Sequence, residues 1–270
     1  MVEANWVIDV IERFAPLSSA EDWDNTGLLA GSGKKMVSKI IVALDATLPV
    51  IKEAVDGGYD MLITHHPLIF EPLKRIVESD PLGAKLLQLI KNDITLYCAH
   101  TNLDVAEGGL NDITFDALGL IDKGPLLSPI DDGLSLGRTG FLREAISLER
   151  FIDSLAERLA IEAREIRYAG DLTKTVKKVG ICVGDASGRR YMRAAADSGC
   201  DVYVTGDVRY HSALDAIDLN LCVVDVTHYR SETAAVLLLA GLLQDEAKKS
   251  GAVLTVDKSA AETQTLFRLK

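Results

Sequence analysis

The stretch Ala54–His66, AVDGGYDMLITHH, recurs in altered form at Ala195–Asp207, AADSGCDVYVTGD. Aligned without gaps, five of thirteen positions agree: Ala54/Ala195, Asp56/Asp197, Gly58/Gly199, Asp60/Asp201 and Thr64/Thr205. Each copy reads as the end of a helix, a glycine stop, and a short apolar run bounded by turn residues, which is the pattern of a helix feeding a buried strand. Upstream, VALDAT (Val42–Thr47) matches CVGDAS (Cys182–Ser187) after a one-residue shift, and downstream the strand before His100 corresponds to the strand before His228. Three matches in one order imply that a strand–helix–strand–helix–strand unit occurs twice.

Working outward, the expected elements alternate. A helix spans Val2–Phe14 and is stopped by Pro16; strands are expected at Lys39–Leu44, Met61–Thr64 and Ile94–Ala99, with helices at Leu48–Asp56, Pro81–Lys91 and Asn111–Leu118. A less regular middle has a strand-like stretch at Gly133–Leu142 and a helix Leu148–Leu159 capped by Ser147. The second half gives strands at Val176–Gly184, Asp201–Val204, Leu221–Val226 and Val253–Val256, and helices at Arg189–Ser198 and Ser231–Lys249. Strands alternating with helices predict an α/β fold with a largely parallel sheet in each of two similar domains. The first repeat is expected over residues 1–125 and the second over 126–270, with interlocking of the copies allowed.

Composition narrows the function. Of 270 residues, 48% are apolar, enough for a sizeable core, and the net charge of −11 argues against nucleic acid or an anionic membrane as the main partner. Cys98, Cys182, Cys200 and Cys222 form no CxxC pair and read as buried, reduced thiols. The acidic, amphipathic start lacks the features of a secretory leader. The longest apolar run, Ala234–Leu243, is too short to span a bilayer. The expectation is a soluble, cytoplasmic protein.

The chemistry gathers at strand ends. There are five histidines; His65, His66, His100 and His228 directly follow expected strands, and His211 trails one closely. Ligands collect where loops leave the carboxyl ends of parallel strands. ITHHP places two imidazoles at a bend. AHTNLD adds His100 and Asp104, an oxygen ligand suited to bridging cations. THYRSE puts His228 and Glu232 four residues apart, on one helical face. Each motif alone also fits a capped turn. Together they supply imidazoles and carboxylates for two divalent ions (zinc, iron or manganese). The second copy has Gly206–Asp207 where the first has His65–His66, so one site rather than two is expected. Asp207 and His211 in TGDVRYH could line the same cleft. WDNTG (Trp23–Gly27) reads as a turn capped by Asp24 or Asn25, while Trp23 could equally stack on a ligand base, and GDASGRR (Gly184–Arg190) could cradle a phosphate or form an ordinary turn. P-loop and GxGxxG elements are missing from the sequence.

EDWDNTGLLAG, ITHHPLIF, AHTNLDVAEGGLND, TGDVRYH and DVTHYRSE, spread over residues 21–232, resemble in type and order the Nif-three-like family of dinuclear metal-centre proteins, whose members carry the name GTP cyclohydrolase 1 type 2 homologue. The length resembles the short form of that family. The resemblance implies metal ligands at His65, His66, Asp104, His228 and Glu232, two similar α/β domains with the metals in the cleft joining them, and a toroidal homohexamer. It also implies His100 as a catalytic proton carrier or substrate contact. One departure is Thr227, where the family carries glycine. The implied activity is metal-dependent hydrolysis of a small molecule, a nucleotide among the options, with attack at the purine C8 in the GTP case. The alternative is metal storage or delivery, or a metal-stabilised scaffold.

Overall fold

The computed structural model describes residues 1–127 and 135–262, and the chain divides into two compact units, Met1–Ala106 with a C-terminal segment from Ala234, and Glu107–Thr233. The first unit contains β1 (Val2–Glu3), α1 (Ala4–Phe14), β2 (Gly27–Ala30), β3 (Met36–Val37), β4 (Lys39–Ala43), α2 (Leu48–Asp56), β5 (Met61–Thr64), α3 (Pro81–Lys91), β6 (Thr95–Cys98) and α4 (Thr101–Val105). The second contains α5 (Leu110–Ala117), β7 (Ile121–Pro125), β8 (Arg138–Ser147), α6 (Leu148–Arg158), β9 (Arg167–Ala169), β10 (Thr175–Ile181), α7 (Arg189–Asp197), β11 (Val202–Thr205), α8 (Tyr210–Asp218), β12 (Cys222–Asp225) and α9 (His228–Glu232). The returning segment supplies α10 (Ala234–Ser250) and β13 (Thr255–Lys258) to the first unit.

In the first unit the strand order is β13-β4-β5-β6-β2, parallel except for β2 at the edge. In the second the order is β7-β8-β10-β11-β12-β9, with β10, β11 and β12 parallel. Both are α/β units with helices against the sheet. Ile41, Leu62 and Leu96 pack under Val50, Ile51 and Leu89 in one. Val179, Val202 and Val224 pack with Phe151 and Leu155 in the other. Each such aliphatic side chain removed from water contributes about 1.5–3 kcal/mol before conformational entropy is subtracted.

The residues shared by the two copies do the same work in both. Ala54 and Ala195 are fully buried. Gly58 (φ +62°) and Gly199 (φ +73°) adopt the left-handed conformation that ends α2 and α7. An Asp60 oxygen accepts from the N–H groups of Ser38 and Lys39 at the start of β4, and Asp201 does the same for Lys177 and Lys178 in β10. Each aspartate thus fixes the register of its strand against the next one.

Several boundaries differ from expectation. The first helix begins at Ala4, because Val2–Glu3 pair with Met36–Val37. The long C-terminal helix is broken near Thr233 into α9 and α10. The strand expected at Gly133–Leu142 runs from Arg138 to Ser147, and residues 133–134 lie outside the described ones. Helix α8 is the second helix of the repeated unit, whose bounds the sequence reading left open, and the edge strands β2, β7 and β9 were not anticipated. The first unit ends at Ala106 rather than at 125, and β13 pairs in parallel with β4, so the last segment completes the first sheet instead of the second. All four cysteines are buried and stand outside any disulfide. Among the described residues, no helix is long and apolar enough to cross a membrane.

The second unit contains a buried ion pair. Arg138 Nε lies 2.5 Å from Asp112, and Lys123 Nζ 2.9 Å from its other oxygen. Burial raises the Asp112 pKa, but the Gly108 N–H, Lys123 and Arg138 outweigh it and hold the carboxyl below its ordinary value. Removing one partner of such a pair strands the other charge, at a cost of about 3–5 kcal/mol. Asp112→Ala is therefore expected to lower the unfolding free energy by about 3 kcal/mol near pH 7 in urea titrations. A carboxyl depressed in the fold stabilises above its unfolded pKa and loses that contribution as pH falls through its folded value. The gap between wild type and variant should accordingly narrow below about pH 4.

Candidate metal centre

In the first unit, parallel pairing brings the ends of β5 and β6 side by side, with Thr64 opposite Cys98. His65 and His66 follow β5 and are tied to the next strand through His65 N–H to Ala43 O (3.3 Å) and His66 N–H to Leu44 O (2.9 Å). The Thr64 hydroxyl donates to His66 O at 2.8 Å, closing the bend that lets adjacent imidazoles share one side. His100 follows β6 and caps α4, where the buried Asn102 side chain accepts from its N–H at 2.9 Å and donates to Ala15 O. Asp104 lies one turn into α4, with its N–H on His100 O.

These residues form a compact cluster. Ring centroids are 5.1 Å apart for His65–His66, 5.2 Å for His65–His100 and 5.7 Å for His66–His100. Each ring can offer a nitrogen such that all three nitrogens lie within 4.8 Å of one another. Asp104 Oδ1 stands 3.6 Å from His65 Nε2. His65 is fully buried and Asp104 is 5% exposed.

In the second unit, His228 and Glu232 occupy one face of α9, with Nε2 3.0 Å from Oε2. Thr227 caps the helix, its hydroxyl accepting from Arg230 N–H. Arg230 in turn pairs with Glu165 at 3.0 Å. Asp207, at the end of β11, reaches His228 Nδ1 at 3.0 Å.

One regularity joins the four rings. His65 Nδ1 lies 2.8 Å from Ala99 O, His66 Nδ1 2.9 Å from Asp45, His100 Nδ1 2.8 Å from Asp24, and His228 Nδ1 3.0 Å from Asp207. A carbonyl or ionised carboxylate only accepts, so each Nδ1 carries a proton; Nε2 of His228 faces Glu232, where a proton or a cation stands between them, and in a neutral ring the lone pair falls on Nε2. That is the tautomer in which a histidine binds a metal through Nε2, and oxygen partners on the opposite nitrogen are the usual orienting contact. The donor set of imidazoles and carboxylates fits zinc, iron or manganese.

Asp24 is the most constrained of these partners. It accepts from the Thr101 N–H at 3.1 Å and hydroxyl at 2.5 Å as well as from His100. Burial raises its pKa, but the His100 bond and charge and the Thr101 bonds prevail and bring it down to about 2. The sequence reading treated Asp24 only as a turn cap and did not single out Asp45. Asp45 sits in VALDAT, inside the repeat, which is the one signal that could have marked it. His211 lies exposed on α8, edge-on to Tyr210 at 5.3 Å. In GDASGRR the loop is closed by Asp185, which accepts from Ser187 and pairs with Arg209 at 2.7 Å. A carboxylate there opposes an anion and favours the ordinary-turn reading.

Thr227 has φ +66° and ψ 150°, a region that is essentially glycine's own. The strain is of order 1–3 kcal/mol. Replacement by glycine loses roughly 0.5–1 kcal/mol in chain entropy and a few tenths from the cap. Thr227→Gly is thus expected to stabilise by about 1 kcal/mol, read as a higher urea midpoint at constant slope. Asp24→Ala should shift His100 toward its Nε2–H tautomer in the metal-free protein, read from imidazole nitrogen shifts in long-range proton–nitrogen spectra. An unchanged tautomer would remove Asp24 from its orienting role.

The Duf34/NIF3 (NGG1p interacting factor 3) family model matches residues 2–264. A protein named GTP cyclohydrolase 1 type 2 homolog from Clostridium perfringens is 39% identical over 233 residues, covering 86% of this chain and 87% of its own. NIF3-like protein 1 of Drosophila melanogaster is 33% identical, covering 84% and 76%. Among solved structures, a Bacillus cereus protein related to NIF3 superposes with TM-score 0.88 at 26% identity, covering 99% of each chain. Reduced HcgD from Methanocaldococcus jannaschii gives TM-score 0.80 at 33% identity, covering 95% and 97%. With its α/β units, its strand-end histidines and a family match over nearly its whole length, the chain belongs to the DUF34/NIF3 family.

Proposed function

We propose that His65, His66, Asp104, His228 and Glu232 hold a pair of divalent metal ions in one centre, and that the protein is a metal-dependent hydrolase of a small molecule. The observation that supports the reading is the common orientation of the four histidines, each with Nδ1 on an oxygen, and with Nε2 turned toward Asp104 in His65 and toward Glu232 in His228. Four packing histidines would have no reason to share it. Glu232 and Asp104 are buried beside imidazole nitrogens, at 3.0 Å from His228 and 3.6 Å from His65, which suits shared coordination of a cation.

Such a metal pair supplies Lewis acidity and an acidified water at neutral pH. The chain's own contribution is orientation and proton movement. His100 stands beside His65 and His66, with Nδ1 anchored by Asp24. That suits it to take a proton from the attacking water and return it to the leaving group. A nucleotide is a fitting substrate class, and the relatives' name points to GTP. We assign the protein to the cytoplasm and to a homohexameric ring. Exposed Tyr210, Leu214 and Ile217 lie along one face of α8 and support self-association.

Metal analysis of freshly purified protein is expected to find about two divalent ions per chain, as in other two-metal hydrolases. His66→Ala and Glu232→Ala should each reduce that content and abolish turnover in a nucleotide and phosphoester screen with the recovered metal. Light scattering should show the oligomer unchanged. Loss of assembly in both variants, with no turnover by wild type, would instead establish a metal-stabilised scaffold.

A further inference from the structure

We propose that Trp23 and Phe70 form an aromatic platform that receives the planar ring of a heterocyclic substrate at the edge of the first unit's histidine cluster. This deepens the hydrolase reading and rests on it for the fate of the ring, but not for its binding. Trp23 and Phe70 are each 52% exposed, whereas Tyr97 and Tyr203 are fully buried and Phe115 and Phe151 nearly so. Their ring centroids are 5.8 Å apart at an interplanar angle of 43°. Trp23 also stands edge-on to His100, at 6.1 Å and 79°.

The supporting loops are tied to the cluster. Asp24, next to Trp23, is bonded to His100 and to both the N–H and hydroxyl of Thr101. Asn25 donates from its side-chain amide to Ile69 O at 2.5 Å, linking the tryptophan turn to the loop that leaves His65–His66 and carries Phe70. Two solvent-facing rings are therefore held on anchored backbone, within ring contact of an imidazole suited to carry protons. Exposed apolar area on a fixed support loses little entropy when a ligand covers it. A π-face is the surface both rings offer, so a flat, uncharged heterocycle is the ligand they fit best. The acidic chain gives no general attraction for anions, so recognition through the ring accounts for how a nucleotide-like molecule would be held.

Trp23 fluorescence can test this. The chain has two tryptophans, so the full chain carrying Trp6→Phe reports on Trp23 alone. The probes are purine and pyrimidine nucleoside monophosphates, a pterin and a flavin mononucleotide, with ribose 5-phosphate as the ligand lacking a ring. At least one ring ligand is expected to quench Trp23 saturably, and ribose 5-phosphate is expected not to. Phe70→Leu should weaken that binding roughly tenfold, in line with base–aromatic stacking. By calorimetry, Trp23→Leu should weaken it similarly and Trp23→Tyr should largely restore it. The proposal is overturned if no ring ligand quenches up to millimolar concentration, if ribose 5-phosphate binds equally well, or if Trp23→Leu and Phe70→Leu leave affinity unchanged. It is also overturned if Trp23→Leu changes only the oligomeric mass, which would make the patch a self-association surface. Metal content measured on the same samples separates the two readings. Quenching without metal keeps the platform and removes the hydrolase, and metal without quenching does the reverse.

Discussion

An imidazole has two nitrogens, and a proton fixed on one leaves the lone pair on the other. In this chain that choice is made four times by oxygen acceptors: the Ala99 carbonyl and the carboxylates of Asp45, Asp24 and Asp207. The surrounding fold serves that choice. Parallel strands bring the ends of β5 and β6 together, a short helix lifts Asp104 one turn above His100, and Asp24 is held by Thr101 so that it can hold His100. Oriented donors lose little freedom when a cation arrives, which is the advantage of preparing the ring from its far side.

How much of this could be read from the sequence depended on the range of the interactions involved. Local periodicity marked β4, β5, β6, β10, β11 and β12, because buried parallel strands are continuous apolar runs. Ser147 marks a helix start and caps as its chemistry requires, accepting from Arg150, and Thr47, which was not singled out, does the same for Val50. The candidate ligand residues were legible because metal chemistry limits the residue types that serve. Their orienting partners were not. Asp24 and His100 are 76 residues apart, and Asp45 and His66 are 21 apart. Nothing local distinguishes such an aspartate from a turn cap. Edge strands β2, β7 and β9 escaped for a related reason, since one exposed side weakens their hydrophobic signal. The return of β13 to β4 is set by pairing across the chain, which periodicity cannot record.

The two similar stretches carry different chemistry at matching positions. Asp45 and Asp185 hold matching places, yet Asp45 orients His66 and Asp185 pairs with Arg209. At the following strand end, His65–His66 stand against Gly206–Asp207. A side chain at Gly206 is sterically forbidden: a Cβ there would lie 2.7 Å from the His228 backbone. The second unit therefore cannot present an imidazole where the first presents His65. It places His228 one strand further on, and the residue matching His66 becomes Asp207, which orients the His228 ring rather than offering one of its own. A position that carries an imidazole in one stretch thus carries a supporting carboxylate in the other. The exchange is enforced by the close approach of the His228 backbone, so the asymmetry between the copies has a steric cause that the paired motifs alone do not disclose.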